Sequence, residues 1–133
     1  MPAKVLDSFA LIAYFRDEAG AETMENLLVA AGKKDSPLHM TNVNYADVKY
    51  SIVKKDGAEA WAEAAKILQG LLIDFHSTTR ALADTAADFK ARYKISLADA
   101  FAAALAKEKK AEFVRGDPEF KALEKEIKIG WLK

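Results

Sequence analysis

Short apolar runs alternate with longer helical stretches along this chain, and that alternation constrains its fold more than any other feature. AKVLD (3–7), SPLHMTNV (36–43), LLIDF (71–75) and EFVRG (112–116) read as short buried strands. After the first come SFALIAYFRDEAG and AETMENLLVAAGKK, after the second NYADVKYSIVKKDG and AEAWAEAAKILQG, after the third TTRALADTAADFKARY and SLADAFAAALAKEKKA, all with helical patterning. In AETMENLLVAAGKK, Met24, Leu27, Leu28 and Ala31 follow i, i+3, i+4, i+7 spacing, and Gly32 marks the end. Asn44 is the expected N-cap of the next helix, with Gly57 past its end; Gly70 closes the helix after it. DPEFKALEKE reads as a short last helix, and IKIGWLK as an edge strand with Ile127, Ile129 and Trp131 on one covered face. Such alternation predicts an α/β fold of three layers, α/β/α, around a mainly parallel sheet of four to five strands. At 133 residues and 51% hydrophobic, the chain is expected to form a single domain over residues 1–133 with a substantial core.

In sheets of this kind, sites form at the carboxyl ends of the strands, near a topological switch. Four short carboxylates fall at such places. Asp7 follows Val5-Leu6, Asp47 lies in NYAD after the second strand, Asp99 in SLAD opens the Ala-rich helix, and Asp117 follows the fourth strand directly. Each alone has a structural explanation. Asn44 with Asp47, and Ser96 with Asp99, resemble capping boxes, and Asp117-Pro118 is a helix start. Asp7 fits that explanation least, because Ser8 is available to cap the first helix. Four carboxylates that converge would repel one another, and a divalent cation would relieve that repulsion. Oxygen donors without thiolate or imidazole suit Mg²⁺ or Mn²⁺.

Composition narrows the chemistry further. There is no cysteine, so neither disulfides nor thiolate catalysis enters, and a reducing cytoplasm is the compatible setting. His39 and His76 lack zinc-ligand spacing. The opening MPAKVLD turns acidic at once, unlike a secretory signal, and no apolar run reaches bilayer length. The expectation is a cytoplasmic protein without membrane contact. Twenty basic residues balance twenty acidic ones, which argues against coating nucleic acid by bulk charge.

Taken together, VLDSFALIAYF, NVNYADVKYSIVKK and AADFKARYKISLADAFAAALAKEKKAEFVRGDPEFKAL resemble PIN-domain proteins, specifically VapC-like toxins of type II toxin–antitoxin pairs. The resemblance covers essentially the whole chain. It implies a PIN-like fold, Mg²⁺- or Mn²⁺-dependent endoribonuclease activity, homodimerisation, and a partner antitoxin. It also implies roles for residues. The family's acids fall on Asp7, Asp47, Asp99 and Asp117; Asn44 matches the polar residue of the N-x-x-acid motif and Ser8 a small polar residue of the pocket. Two residues depart from the pattern. Asp47 stands where the family usually has Glu, and Arg115 where it commonly has the Thr or Ser that orients a ligand or water. Arg115 is instead a candidate partner for a carboxylate or a phosphate.

Setting the four acids aside leaves sixteen acidic residues against twenty basic ones. Lys49, Lys54, Lys55, Arg80, Arg115 and Lys121 are candidates to rim the pocket, though each singly also fits a solvated helix face. FALIAYF (9–15) is apolar all round, so burial on every side is expected, within the chain or against a twin subunit or an antitoxin. Trp61 and Trp131 read as core or interface anchors. The leading expectation is a metal-dependent ribonuclease that cuts RNA with metal-activated water. The alternative is a catalytically weakened PIN module that acts by binding antitoxin or RNA. A phosphoacceptor receiver domain fits poorly, since the first strand ends in one acid rather than an acidic pair.

Overall fold

The computed structural model describes residues 3–115 and 123–131. Five strands form one parallel sheet: β1 (Lys4–Leu6), β2 (Leu38–Thr41), β3 (Ile73–His76), β4 (Glu112–Arg115) and β5 (Ile129–Trp131). Their order across the sheet is β3-β2-β1-β4-β5. Each of the first three gaps carries two helices. These are α1 (Ser8–Phe15) and α2 (Ala21–Lys34), α3 (Asn42–Asp56) and α4 (Ala58–Gln69), then α5 (Arg80–Arg92) and α6 (Leu97–Lys109). The chain steps outward from β1 to β3, then returns to the far side of β1 for β4. The switch point therefore lies between the carboxyl ends of β1 and β4, where Asp7 and Arg115 stand.

Alternate residues of the central strands feed opposite faces, as the pleat requires. Val5 and Phe113 pack with Leu82, Ala86 and Phe89 of α5 and the alanines of α6. Leu6 and Val114 pack on the other side with Leu11, Met24, Met40, Val48 and Ile52. The three-layer α/β/α expectation is met. In α6, every residue from 100 to 106 is buried. A helix enclosed on all sides needs small residues to let its neighbours approach, which accounts for its run of alanines.

Several local expectations are corrected. β1 and β2 end earlier than their apolar runs, where Asp7 and Thr41 cap the helices that follow, and β3 is shifted to Ile73–His76. Thr41, not Asn44, is the N-cap of α3: its backbone is extended and its Oγ1 accepts the Asn44 N–H at 3.0 Å. Gly32 lies inside α2, which ends at Lys34 with Asp35 in the left-handed conformation (φ 50°). The first helix stops at Phe15 rather than running to Gly20. Within the chain FALIAYF is only partly enclosed: Ala10, Leu11 and Ala13 are buried, Ile12, Tyr14 and Phe15 partly so, and Phe9 is 39% exposed, so of the enclosures expected the intrachain one is incomplete. Of the expected helix over 117–126, the described part is a single 3₁₀ turn at 123–125. No helix among the described residues is long and apolar enough to cross a membrane.

Candidate functional site

Asp7 sits where β1 hands over to α1, fully buried. Its backbone is extended, and Oδ1 accepts the Ala10 N–H at 2.9 Å. Asp7 is therefore the N-cap, and Ser8, expected to cap, is the first helical residue. Both are good capping types, so their sequence alone could not rank them. The cap consumes one carboxylate oxygen. The other, Oδ2, accepts a hydrogen bond from Nη1 of Arg115, the last residue of β4.

The same Arg115 nitrogen donates to Oδ1 of Asp99 at 2.7 Å. Asp99 occupies the opening turn of α6, where the Ser96 hydroxyl accepts its N–H at 3.1 Å. Ser96 caps as expected, but the Asp99 carboxylate turns to the guanidinium. Two carboxylates thus meet over one cationic nitrogen at the switch point. Their exposures are 0% for Asp7 and 19% for Asp99, with 7% for Arg115.

Beside this pair lies a closed polar knot. The Asn44 amide donates to Ser8 Oγ at 3.0 Å and to the Ala98 carbonyl at 3.1 Å, and its Oδ1 accepts from the Thr41 hydroxyl. Ser8 and Asn44 thus come together. Both amide hydrogens of Asn44 are spent, so this residue ties α1, α3 and α6 to one another instead of offering donors to a ligand. Asn44→Ala would remove the three hydrogen bonds of the side-chain amide from this knot, and a loss of roughly 2–4 kcal/mol in folding free energy is expected by urea denaturation. A loss under about 0.5 kcal/mol, the range of surface substitutions, would contradict that role.

Asp47 lies in the second turn of α3, partly buried, and its carboxylate makes no hydrogen bond or ion pair with another described residue. It is one turn along from Asn44, but it does not join the Asp7–Arg115–Asp99 group. Asp117 and Lys121 lie outside the described residues. Lys49 and Lys54 line an exposed groove with Tyr45, Tyr50 and Val53. The Lys49 ammonium lies 5.9 Å from the Trp61 ring centre, and Trp61 packs against the core as an anchor. The side chain of Trp131 is not among those described. One pairing went unforeseen: His39 Nδ1 and His76 Nε2 meet at 2.9 Å across β2 and β3.

Burial pushes the Asp7 carboxyl up to about 6, and Asp99 adds to the shift; the Arg115 charge and the Ala10 N–H oppose it. The folded state therefore holds this proton more tightly than the unfolded state, whose value is 3.8. The stability it contributes is full below about pH 4 and is lost as pH rises through 6. At about 1.4 kcal/mol per pH unit, the loss is roughly 3 kcal/mol. In chelator, wild type should lose that much relative to Asp7→Asn between pH 4 and 7.5. A difference between the two proteins that stays flat with pH would contradict it.

The donor chemistry of Asp7 and Asp99 suits a hard divalent cation. Their meeting point, however, is held by Nη1 of Arg115. Among the described residues, no group of three or more His, Asp or Glu side chains is gathered that could hold a metal ion.

The PIN domain family matches residues 4–126. The chain belongs to this family. No curated protein sequence matches it. Solved structures share the PIN fold at low identity. VapBC2 from Rickettsia felis, bound to a promoter DNA fragment, aligns at TM-score 0.80 and 12% identity, covering 98% of this chain and 99% of that one. A toxin–antitoxin complex from Klebsiella pneumoniae aligns at 0.71 and 16%, covering 98% of each. VapC20 from Mycobacterium tuberculosis, a toxin that cleaves the sarcin–ricin loop, aligns at 0.71 and 18%, covering 90% of this chain and 94% of that one. In the PIN domain described here, the switch point carries the acid pair and Arg115 together.

Proposed function

We propose that this PIN domain is the toxin of a toxin–antitoxin pair and an Mg²⁺- or Mn²⁺-dependent endoribonuclease of the cytoplasm. The observation that carries the reading is Asp7, a fully buried carboxylate at the topological switch, facing Asp99 across a cation. Asp7 and Asp99 would hold the metal with Asp117, and Asp47 would contribute directly or through water. When bound, the metal supplies charge neutralisation and an activated water for attack on an RNA phosphodiester.

The protein's own part is positioning. The Ala10 N–H fixes one oxygen of Asp7 and leaves the other aimed at the cation. The Asn44 knot holds α1 and α6, and with them Asp7 and Asp99, in register. Single-stranded loops are the expected RNA targets, since their backbone is accessible. The toxin–antitoxin structures that share this fold support an antitoxin partner, for which the exposed ring of Phe9 on α1 offers a contact; the homodimer rests on the family resemblance alone. The test is a mixed RNA pool incubated with Mg²⁺, Mn²⁺ or chelator, with the ends mapped. Defined cuts only with metal are expected; cuts that persist in chelator would overturn metal dependence.

Arg115 favours a second reading, a weakened module that binds antitoxin or RNA without cutting. Calorimetry separates the two. Tight antitoxin binding by a protein with no Mn²⁺ site and no cleavage would select the module.

A further inference from the structure

We propose that Arg115 is a built-in occupant of the cation site, so that metal binds only when its guanidinium swings out. This rests on the metal-dependent reading above and adds its regulation: Arg115 sets the metal concentration at which the site loads.

The geometry is specific. One nitrogen, Nη1, bridges Oδ2 of Asp7 and Oδ1 of Asp99, the latter at 2.7 Å. Asp7 Oδ1 caps α1, so a metal held by Asp7 would have to use Oδ2, the oxygen that Arg115 occupies. Guanidinium and metal would therefore compete for one place. Nor is this a loose surface contact, because the Arg115 side chain is only 7% exposed and Asp7 is fully enclosed.

Charge makes the exclusion stronger. With Arg115 in place, a divalent ion held by Asp7 and Asp99 would lie against a second cation, the guanidinium, and the two repel. With the guanidinium withdrawn, both carboxylates face the ion alone. Arg115 ends β4 at the carboxyl edge of the sheet, and Asp99, 19% exposed, marks the side open to solvent. On this proposal the guanidinium leaves past Asp99 by rotation of its side chain.

A site that is open only a fraction of the time binds its ligand more weakly by that fraction. If Arg115 is in place about nine-tenths of the time, apparent metal affinity falls about tenfold. Titrating Mn²⁺ calorimetrically into wild type, Arg115→Thr and Asp7→Asn tests this. Arg115→Thr should bind at least about tenfold tighter than wild type, and Asp7→Asn should lose the site. Should Arg115→Thr not fold, wild type can be titrated with Mg²⁺ while the ¹⁵N signal of the Arg115 Nε–H is followed, assigned by its loss in Arg115→Lys. That signal should shift in step with metal binding.

Equal Mn²⁺ affinity of wild type and Arg115→Thr overturns the proposal, as does a metal site in neither. An Arg115 signal that stays still while Mg²⁺ binds overturns it as well. The nuclease reading fails on a different result, the absence of RNA cleavage by metal-loaded protein, so the two failures are distinguishable.

Discussion

Asp7→Asn should lower metal-dependent RNA cleavage by roughly a thousandfold or more while leaving the fold intact. The two halves of that expectation have separate causes. Asn keeps the shape of Asp and is an equally good N-cap, so its oxygen still accepts the Ala10 N–H. It also removes a charge that burial makes costly, as the raised Asp7 value of about 6 indicates. What is lost is the anionic oxygen that faces the cation position. A metal's charge stabilisation of phosphoryl chemistry is worth several kcal/mol, and each 1.36 kcal/mol is about tenfold in rate. Initial cleavage rates with Mn²⁺, read beside circular dichroism and a thermal melt, check both halves. A folded Asp7→Asn protein that cuts at the wild-type rate would remove Asp7 from the chemistry.

Arg115→Met should cost roughly 3–5 kcal/mol of folding stability at pH 7.5 in chelator, the usual penalty for breaking a buried ion pair. Methionine fills most of the arginine volume, so the loss reports charge rather than a cavity. It leaves the Asp7 carboxyl enclosed and close to Asp99 with the guanidinium gone. Two conditions should return part of the loss. At pH 5 the deficit should shrink, because burial and Asp99 already favour the protonated form of Asp7 and the opposing Arg115 charge is then absent. Mn²⁺ should also restore stability, since the ion takes the vacated place. A variant within about 1 kcal/mol of wild type in chelator would show that Arg115 is not the counter-ion.

How much of this was legible in the sequence follows from the range over which each interaction acts. The alternation of apolar runs with helical periods predicted the layers and the parallel sheet, because strand and helix periods are local. Ser96 as the cap of α6 was also visible, since its hydroxyl accepts a hydrogen bond from only three residues away. Caps were misplaced where several competent residues compete. TNVN puts Thr41, Asn42 and Asn44 within four positions, and only the path of the strand decides for Thr41. LDS poses the same choice between Asp7 and Ser8. That ambiguity made capping and chemistry look like rival roles for Asp7, which spends one oxygen on the cap and turns the other to Arg115.

The contacts that matter most at the site were beyond sequence reach. Asp7 and Arg115 are 108 residues apart and meet because β1 and β4 pair in parallel at the switch point. The sequence marked Arg115 as a departure and named a carboxylate among its partners, but not which carboxylate, nor that one nitrogen would serve two. The His39–His76 contact has the same origin, residues on neighbouring strands brought together by the β2–β3 register. Asp47, chosen from its motif, stays apart from the acid pair because the helix begins at Asn42 and carries it into the second turn.

The most direct test of the account is a crystal of the wild-type protein soaked in Mn²⁺, with anomalous scattering used to place the ion. The account predicts a Mn²⁺ peak between the Asp7 and Asp99 carboxylates and the Arg115 guanidinium withdrawn from both. Mn²⁺ bound elsewhere, with Arg115 still bridging the two aspartates in a protein that cuts RNA, would contradict it.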